Sequence, residues 1–284
     1  MFVIIGIIVV ISAIVGGFLM EGGNLHVLFV PAEVIIIFGA AIGSFLIASP
    51  PKVISAVVKE IPQLFGYTSY TKEDYLDLLS LLYRIFSKIR KEGLISIEAD
   101  IENPGKSNIF NKHKNVLKNH HAIGFICDNL KVMVSTNVPP HELDNLLDLE
   151  IDVHHHNSMV PSHSVAKVAD GLPGLGIVAA VLGVVLTMGK IDQPPAVLGH
   201  SIGAALVGTF LGVLMCYGFV GPISINIEHR ARENTVVLQV IKVAIVSFVS
   251  GSAPQMAVEF ARRAISGKDK PTFEELEKEL KKAK

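Results

Sequence analysis

Three sets of residues in this sequence are of types that could do chemistry. Thr187 and Thr209 place hydroxyls in two otherwise apolar runs. His154, His155 and His156 stand in a row, with His120 and His121 upstream. Arg84, Lys88, Arg90 and Lys91 crowd the end of an amphipathic segment, just before Glu98. The histidines suggest a metal, but consecutive histidines on a helix point about 100° apart and cannot converge on one ion, and no cysteine or close carboxylate pair completes a shell. They read as a solvated polar run, with no metal and no cofactor. The clustered cations match the dipole at a helix C-terminus. No nucleophile and base stand together, which argues against an enzyme.

The hydroxyls are the more informative set. Thr209 shares a helical face with Ala205, Gly212 and Cys216, and Pro173, Gly176, Ala180 and Thr187 form a comparable face. No Asp, Glu, Lys, Arg or His lies between Gly171 and Met188 or between Ser201 and Pro222. A transporter usually keeps an ionisable residue in the membrane. If an ion passes along these faces, the carboxylate that carries it must come from a partner. Glu33 is expected at the outer mouth of its span, away from the midplane.

The elements that must hold these residues follow from composition. Of 284 residues, 50% are hydrophobic and 18% charged, with a mean hydropathy of +0.49. That composition belongs to an integral membrane protein. The near-neutral net charge of -1 hides a segregation: no Lys or Arg precedes Lys52, and only Lys190 falls between Gly171 and Glu228. Basic residues are interspersed with acids, which excludes a nucleic-acid binder. Cys127 and Cys216 lie in unlike segments, so a disulfide framework is not expected.

Four apolar runs are long enough to cross a bilayer. They are Phe2 to Met20, read as a retained span because no basic segment precedes it; Val34 to about Ala48, stopped by Pro50-Pro51; Gly171 to Met188; and Ser201 to Pro222. The two short connecting loops carry one basic residue, Lys190, and so lie outside, which leaves both termini in the cytoplasm. Thr235 to Val249 is apolar but interrupted by Lys242, and reads as a buried cytoplasmic helix.

In the charged region, Thr71 to Gly93 predicts a helix with Thr71 and Asp74 as a capping box and Gly93 past its end. Short acidic Ser96–Glu102, a helix from about Ser107 to Ser135, and another from about Pro140 to Met159 follow. A terminal helix opens with Thr272 and Glu275 as a second capping box. Ala204, Gly208 and Gly212, like Gly39 and Gly43, allow close helix packing. Pro173 and Pro222 are expected at one membrane depth, as kinks or as paired hinges.

Several unlike segments in order carry a resemblance over essentially the whole chain: GGFLMEGGNLHVLFVPAEVIIIFGAAIGSF, YTKEDYLDLLSLLYRIFSKIRKEG followed by EADIENP, DGLPGLGIVAAVLGVV, AALVGTFLGVLMCYGFVGPI and APQMAVEFARR. The sequence resembles the MotA family of flagellar stator subunits. The resemblance implies a pentamer around two helices of a MotB-like, peptidoglycan-binding single-span partner that supplies the missing carboxylate. It implies that Arg90 and Glu98 engage a FliG-like rotor switch protein, that Pro173 and Pro222 serve torque generation, and that Thr209 faces the ion path, which the face read above extends to Ala180 and Thr187. Sodium-driven relatives tend to carry a hydroxyl at the position of Ala180, so the resemblance leans to protons.

The expected protein is therefore an all-α integral membrane protein of the inner membrane. Residues 1-50 hold spans one and two, 51-170 a cytoplasmic helical domain facing the rotor, 171-226 spans three and four, and 227-284 cytoplasmic C-terminal helices. Its expected function is a stator subunit whose ion channel, formed with a MotB-like partner, drives flagellar rotation. A TolQ- or ExbB-like channel energising an outer-membrane system is the alternative; such relatives have three spans and lack EADIENP and VEFARR.

Overall fold

The computed structural model describes residues 2–64, 66, 69–136 and 138–283. Among these, all regular structure is helical. Four helical stretches are long and apolar enough to cross a membrane: Phe2–Met20, Leu25–Ala48, Pro140–Met188 and Pro195–Val249. The chain divides into two compact units, residues 1–67 with 158–230 and residues 68–157 with 231–284.

The first unit contains α1 (Phe2–Met20), the one-turn α2 (Leu25–Leu28), α3 (Pro31–Ala48) and α4 (Pro51–Gln63). It also holds the C-terminal part of α9 (Pro140–Met188), α10 (Pro195–Leu214) and the start of α11 (Gly221–Val249). No residue of α1 is buried; Phe2 is 83% exposed, as suits a helix whose apolar side chains meet lipid. Asn24 caps α2 by accepting from the His26 amide at 3.0 Å. The helix α4 was not anticipated, because Pro50-Pro51 reads as a stop. Pro51 instead occupies the first helical turn, where a missing N–H costs nothing. Val57 and Leu64 then pack with Val165 and Ile227, and Arg230 pairs with Glu60 at 3.1 Å.

Spans three and four were expected as separate elements, the third starting near Gly171 and the fourth ending at Pro222. Both run on. The helix α9 passes through Pro161 and Pro173 without a break; the cap-forming Ser162 and Ser164 instead donate their hydroxyls to the Ser224 and Val160 carbonyls. At Pro222 the path survives differently. A π-helical turn, Met215–Val220, links α10 to α11, and the Gly221 amide donates to the Cys216 carbonyl five residues back. A proline cannot donate and crowds the carbonyl four residues before it, so the wider turn absorbs the mismatch.

The second unit is a water-type core around α5 (Lys72–Glu92). Its N-terminus carries the expected capping box: the Thr71 amide donates to Asp74 Oδ2 at 3.0 Å and the Asp74 amide to Thr71 Oγ1 at 3.3 Å. Gly93 ends it at φ +88°, a conformation that side chains resist. Leu78, Leu79, Leu81, Leu82, Ile85 and Phe86 are buried together with Val240, Ile241, Ala244 and Ile245 of α11, and Phe86 stacks on Phe248 with centroids 4.5 Å apart. The apolar stretch Thr235 to Val249 thus serves a soluble-type core, and Lys242 is held by Asp144 and Asp148 at 2.8 and 2.6 Å.

Two sequence expectations here need correction. Ser96–Glu102 divides into a 3-10 turn, Leu94–Ile97, and α6 (Glu98–Glu102). The expected helix from Ser107 to Ser135 divides into a 3-10 turn (Phe110–Lys112), α7 (Lys114–Lys118) and α8 (His120–Ser135). Two side chains cause the second division: His113 is buried and paired with Asp77 at 2.6 Å, and Asn119 caps α8 by accepting from the Ala122 amide at 3.0 Å. The unit closes with α12 (Pro254–Ala264) and α13 (Phe273–Ala283), the latter capped by Thr272 and Glu275 as expected.

Candidate functional site

Within the first unit, α9 and α10 are held at a separation that only small residues permit. A Cβ at Gly176 would lie 2.7 Å from the Gly208 carbonyl and 3.3 Å from Thr209 Cα; one at Gly212 would lie 2.5 Å from the Leu172 carbonyl; one at Gly183 would lie 2.7 Å from Ala205 Cβ. The helices are therefore antiparallel, with Leu172 beside Gly212 and Gly183 beside Ala205. Small residues at these positions are what let the two backbones approach so closely.

This register places the expected ion-path residues individually. Thr209 is half-buried beside Gly176, and Ala180 is half-buried as well. Thr187 is buried, and its hydroxyl donates to the Gly183 carbonyl at 2.8 Å within its own helix, keeping only acceptor capacity for anything else.

The same register corrects the expectation for the prolines. Pro173 adjoins the Leu172–Gly212 contact, whereas Pro222 stands near Ser224, whose carbonyl accepts from Ser162 Oγ at 2.8 Å. Pro173 is one residue from that contact and Pro222 ten residues from Gly212, so the two prolines are separated by about 15 Å along the helices at about 1.5 Å per residue. Pro222 is exposed and adjoins the π turn, while Pro173 lies half-buried in continuous α-helix.

A residue that sequence reasoning set aside is brought into the bundle. Glu33, expected at the outer mouth of its span, is 5% exposed, and a Cβ added to Gly208 would lie 2.4 Å from its Oε2. Gly208 in turn packs on Ala179, near the middle of the third apolar run. Spans three and four contribute no ionisable group, yet span two sends one between them. The apolar run beginning at Val34 hid this, because hydropathy does not report which way the preceding residue points.

In the second unit, Arg90 at the end of α5 and Glu98 at the start of α6 are both exposed. Neither makes an ion pair among the described residues, whereas neighbouring Lys88 is bound to Asp100 at 2.8 Å. The dipole-matched cations thus divide: Lys88 holds α5 to α6, and Arg90 faces water. The histidines also differ from expectation. His154 and His155 are half-buried, His155 Nδ1 lies 3.0 Å from Thr235 Oγ1, and the His121 and His154 rings meet edge-on at 5.1 Å. They pack α8, α9 and α11 together instead of being solvated, because α9 turns this stretch inward. Among the described residues no three His, Cys, Asp or Glu side chains gather as a metal site. Burial pushes the Cys127 thiol up to about 11, where it is unreactive.

A helical unit of glycine-packed apolar spans and a charged helical unit define a multi-pass membrane protein. Residues 4–93 match the family model for the motility protein A N-terminal region, and residues 117–239 match that of the MotA/TolQ/ExbB proton channel family. Motility protein A of Salmonella typhimurium is 42% identical over 281 residues, covering 99% of this chain and 95% of its own. The structure of C. jejuni MotAB superposes with a TM-score of 0.78 at 19% identity, covering 95% of this chain and 98% of that one. The flagellar MotAB stator complex of Bacillus subtilis gives 0.71 at 23% identity, covering 90% and 92%. The chain belongs to the motility protein A family, within the MotA/TolQ/ExbB proton channel family, and is a multi-pass protein of the inner membrane.

Proposed function

We propose that the chain is a stator subunit of a bacterial flagellar motor, forming with a MotB-like partner an ion channel that couples ion flow to torque. The observation that carries this reading is the full-length 42% identity to a motility protein A. A TolQ- or ExbB-like role is not favoured, since the motility-specific N-terminal model covers residues 4–93.

In this reading five copies surround two helices of a peptidoglycan-anchored partner, whose carboxylate carries the ion. Ala180, Thr187 and Thr209 line the path, and the methyl group at Ala180 in place of a hydroxyl favours protons. Both termini lie in the cytoplasm, because the outer loops carry only Lys190. Residues 1-50 and 171-226 form the membrane part; residues 51-170 and 227-284 are cytoplasmic. Pro173 and Pro222 act as hinges between them, and the π turn beside Pro222 supports that role, since such turns recur at functional sites in helices.

Arg90 and Glu98 dock a FliG-like rotor protein. Their exposure and the lack of an ion pair to either among the described residues support this, because a charge already paired would have to be released first. Individual exposed pairs contribute about 0.2 to 1 kcal/mol, so several contacts act together and mainly set registration. Reversing both charges at low stator expression should reduce swimming speed; unchanged motility would remove these two residues from the rotor contact. Co-purification with the partner and subunit counting test the assembly itself.

A further inference from the structure

Glu33 has no work in the function just proposed, yet it is costly to keep. It is 95% buried by its 5% exposure, Oε2 has no hydrogen-bond partner, and no ion pair involves it among the described residues. At the third position of α3 a glutamate ordinarily folds back to accept from the amide that precedes the helix. Glu33 makes no such bond. Its carboxyl reaches instead across to α10 and α9, where Oε2 occupies the space that a Cβ on Gly208 would take, at 2.4 Å, and Oε1 lies 3.5 Å from a Cβ placed on Gly183. The Gly208 contact continues to Ala179. The cradle thus fits a carboxyl only because residue 208 is glycine.

The chemistry of the cradle selects its occupant. An isolated carboxylate among hydrocarbon groups is strongly disfavoured unless a cation or proton neutralises it. A metal cation would require several oxygen ligands. The walls offer methyl groups and Cα–H bonds, and Thr187, one turn beyond Gly183, keeps a single acceptor oxygen, fewer ligands than such a cation needs. A proton needs only the carboxyl itself.

We propose that Glu33 is a proton-binding site within the membrane, cradled by Gly183 and Gly208, which loads and releases a proton during each passage of ions through the stator. The step balances without a co-reactant: the carboxylate takes H⁺ from water to form an O–H bond, and the same bond breaks as H⁺ passes on to water or to the partner's carboxylate. The proposal rests on the proton-channel reading above, and assigns to this chain an ionisable group in addition to the one the partner supplies.

The test uses the full chain with its MotB-like partner, in membranes and in cells lacking their own stator. Infrared difference spectra of wild type across pH, in H₂O and D₂O, should contain an exchangeable carboxylic acid band that disappears in Glu33→Gln and returns, shifted, in Glu33→Asp. Swimming speed as a function of external pH should lose one titrating step in Glu33→Gln, while partner co-purification stays at the wild-type level. Gly208→Ala should displace the carboxyl and shift the same band. A Glu33→Gln complex with the wild-type band and an unaltered pH profile would overturn the proposal. Should Glu33→Gln fail to assemble, the wild-type titration with ¹³C-glutamate decides, and absence of a titrating glutamic acid band overturns it. Failure of the wild-type chain to drive motility at all would instead refute the stator reading, leaving the infrared result to judge Glu33.

Discussion

The two compact units of this chain are both helical, but they are packed with opposite materials. In the unit built on α5, large side chains fill the interior: Phe86 and Leu79 are each 0% exposed, and the helices stand a full side chain apart. In the unit containing α10, glycines bring backbones together, and large apolar residues point outward, Ile47 being 90% exposed. Water drives apolar groups inward in the first case. Lipid gives no such drive, so close van der Waals contact must hold the second. Charge follows the same division. Most of it does: Lys242 with Asp144 and Asp148, Lys72 with Glu275, and Arg262 with Glu259 lie in the α5 unit, while Arg230 with Glu60 lies in the other.

This contrast can be broken most severely at Phe86. Replacing it with alanine should destabilise the protein by about 3–5 kcal/mol, the range for a buried aromatic, whereas Ile47→Ala should stay within about 0.5 kcal/mol, as for surface positions. Heat unfolding in lipid nanodiscs followed by circular dichroism measures both; similar losses at the two positions would erase the distinction.

Glycines should respond in the reverse sense. Gly176→Val meets the Gly208 carbonyl and should cost about 1–3 kcal/mol or prevent assembly, because two backbones cannot give way. Gly124, within α8, has nothing within 4 Å of its missing Cβ. Gly124→Ala should stabilise by roughly 0.4–1 kcal/mol through the unfolded chain.

A further effect sharpens the electrostatic side. Hydrogen bonding from Arg262, helped by Arg263 and opposed by burial, holds the Glu259 carboxyl below its ordinary value of 4.5. The unfolded chain therefore binds a proton at Glu259 more readily than the folded one. The contribution is complete above about 4.5 and fades as pH falls through the lowered native value. Glu259→Gln should cost on the order of 1–3 kcal/mol at neutral pH and remove that part of the acid sensitivity. An unchanged acid limb would show that Glu259 is not a source of it.

Much of the α5 unit was legible because its signals are local. Thr71 and Asp74, or Thr272 and Glu275, lie three residues apart and meet on one turn, so their spacing alone places a helix start. The continuity of α9 was not legible, since Pro161 beside Ser162 looks like a boundary until the Ser162 hydroxyl proves to donate to the distant Ser224 carbonyl. His154 and His155 looked solvated for a similar reason: no local pattern reveals that Thr235 awaits one of them. For the candidate site, Arg90 and Glu98 were identifiable by family resemblance, and the structure adds that both are exposed.

What the sequence determined by itself is what hydropathy, charge and short-range spacing can express: four apolar spans, the segregation of Lys and Arg, and the capped helices of the α5 unit. Tertiary structure decided the rest. Which glycine faces which backbone, how far apart Pro173 and Pro222 lie, and where the Glu33 carboxyl comes to rest all depend on the register between α3, α9 and α10. Helical periodicity fixes a face only relative to its own axis. The rotation and sliding of one helix against another are set by contacts between residues far apart in the chain, as when Glu33 fills the space left by Gly208.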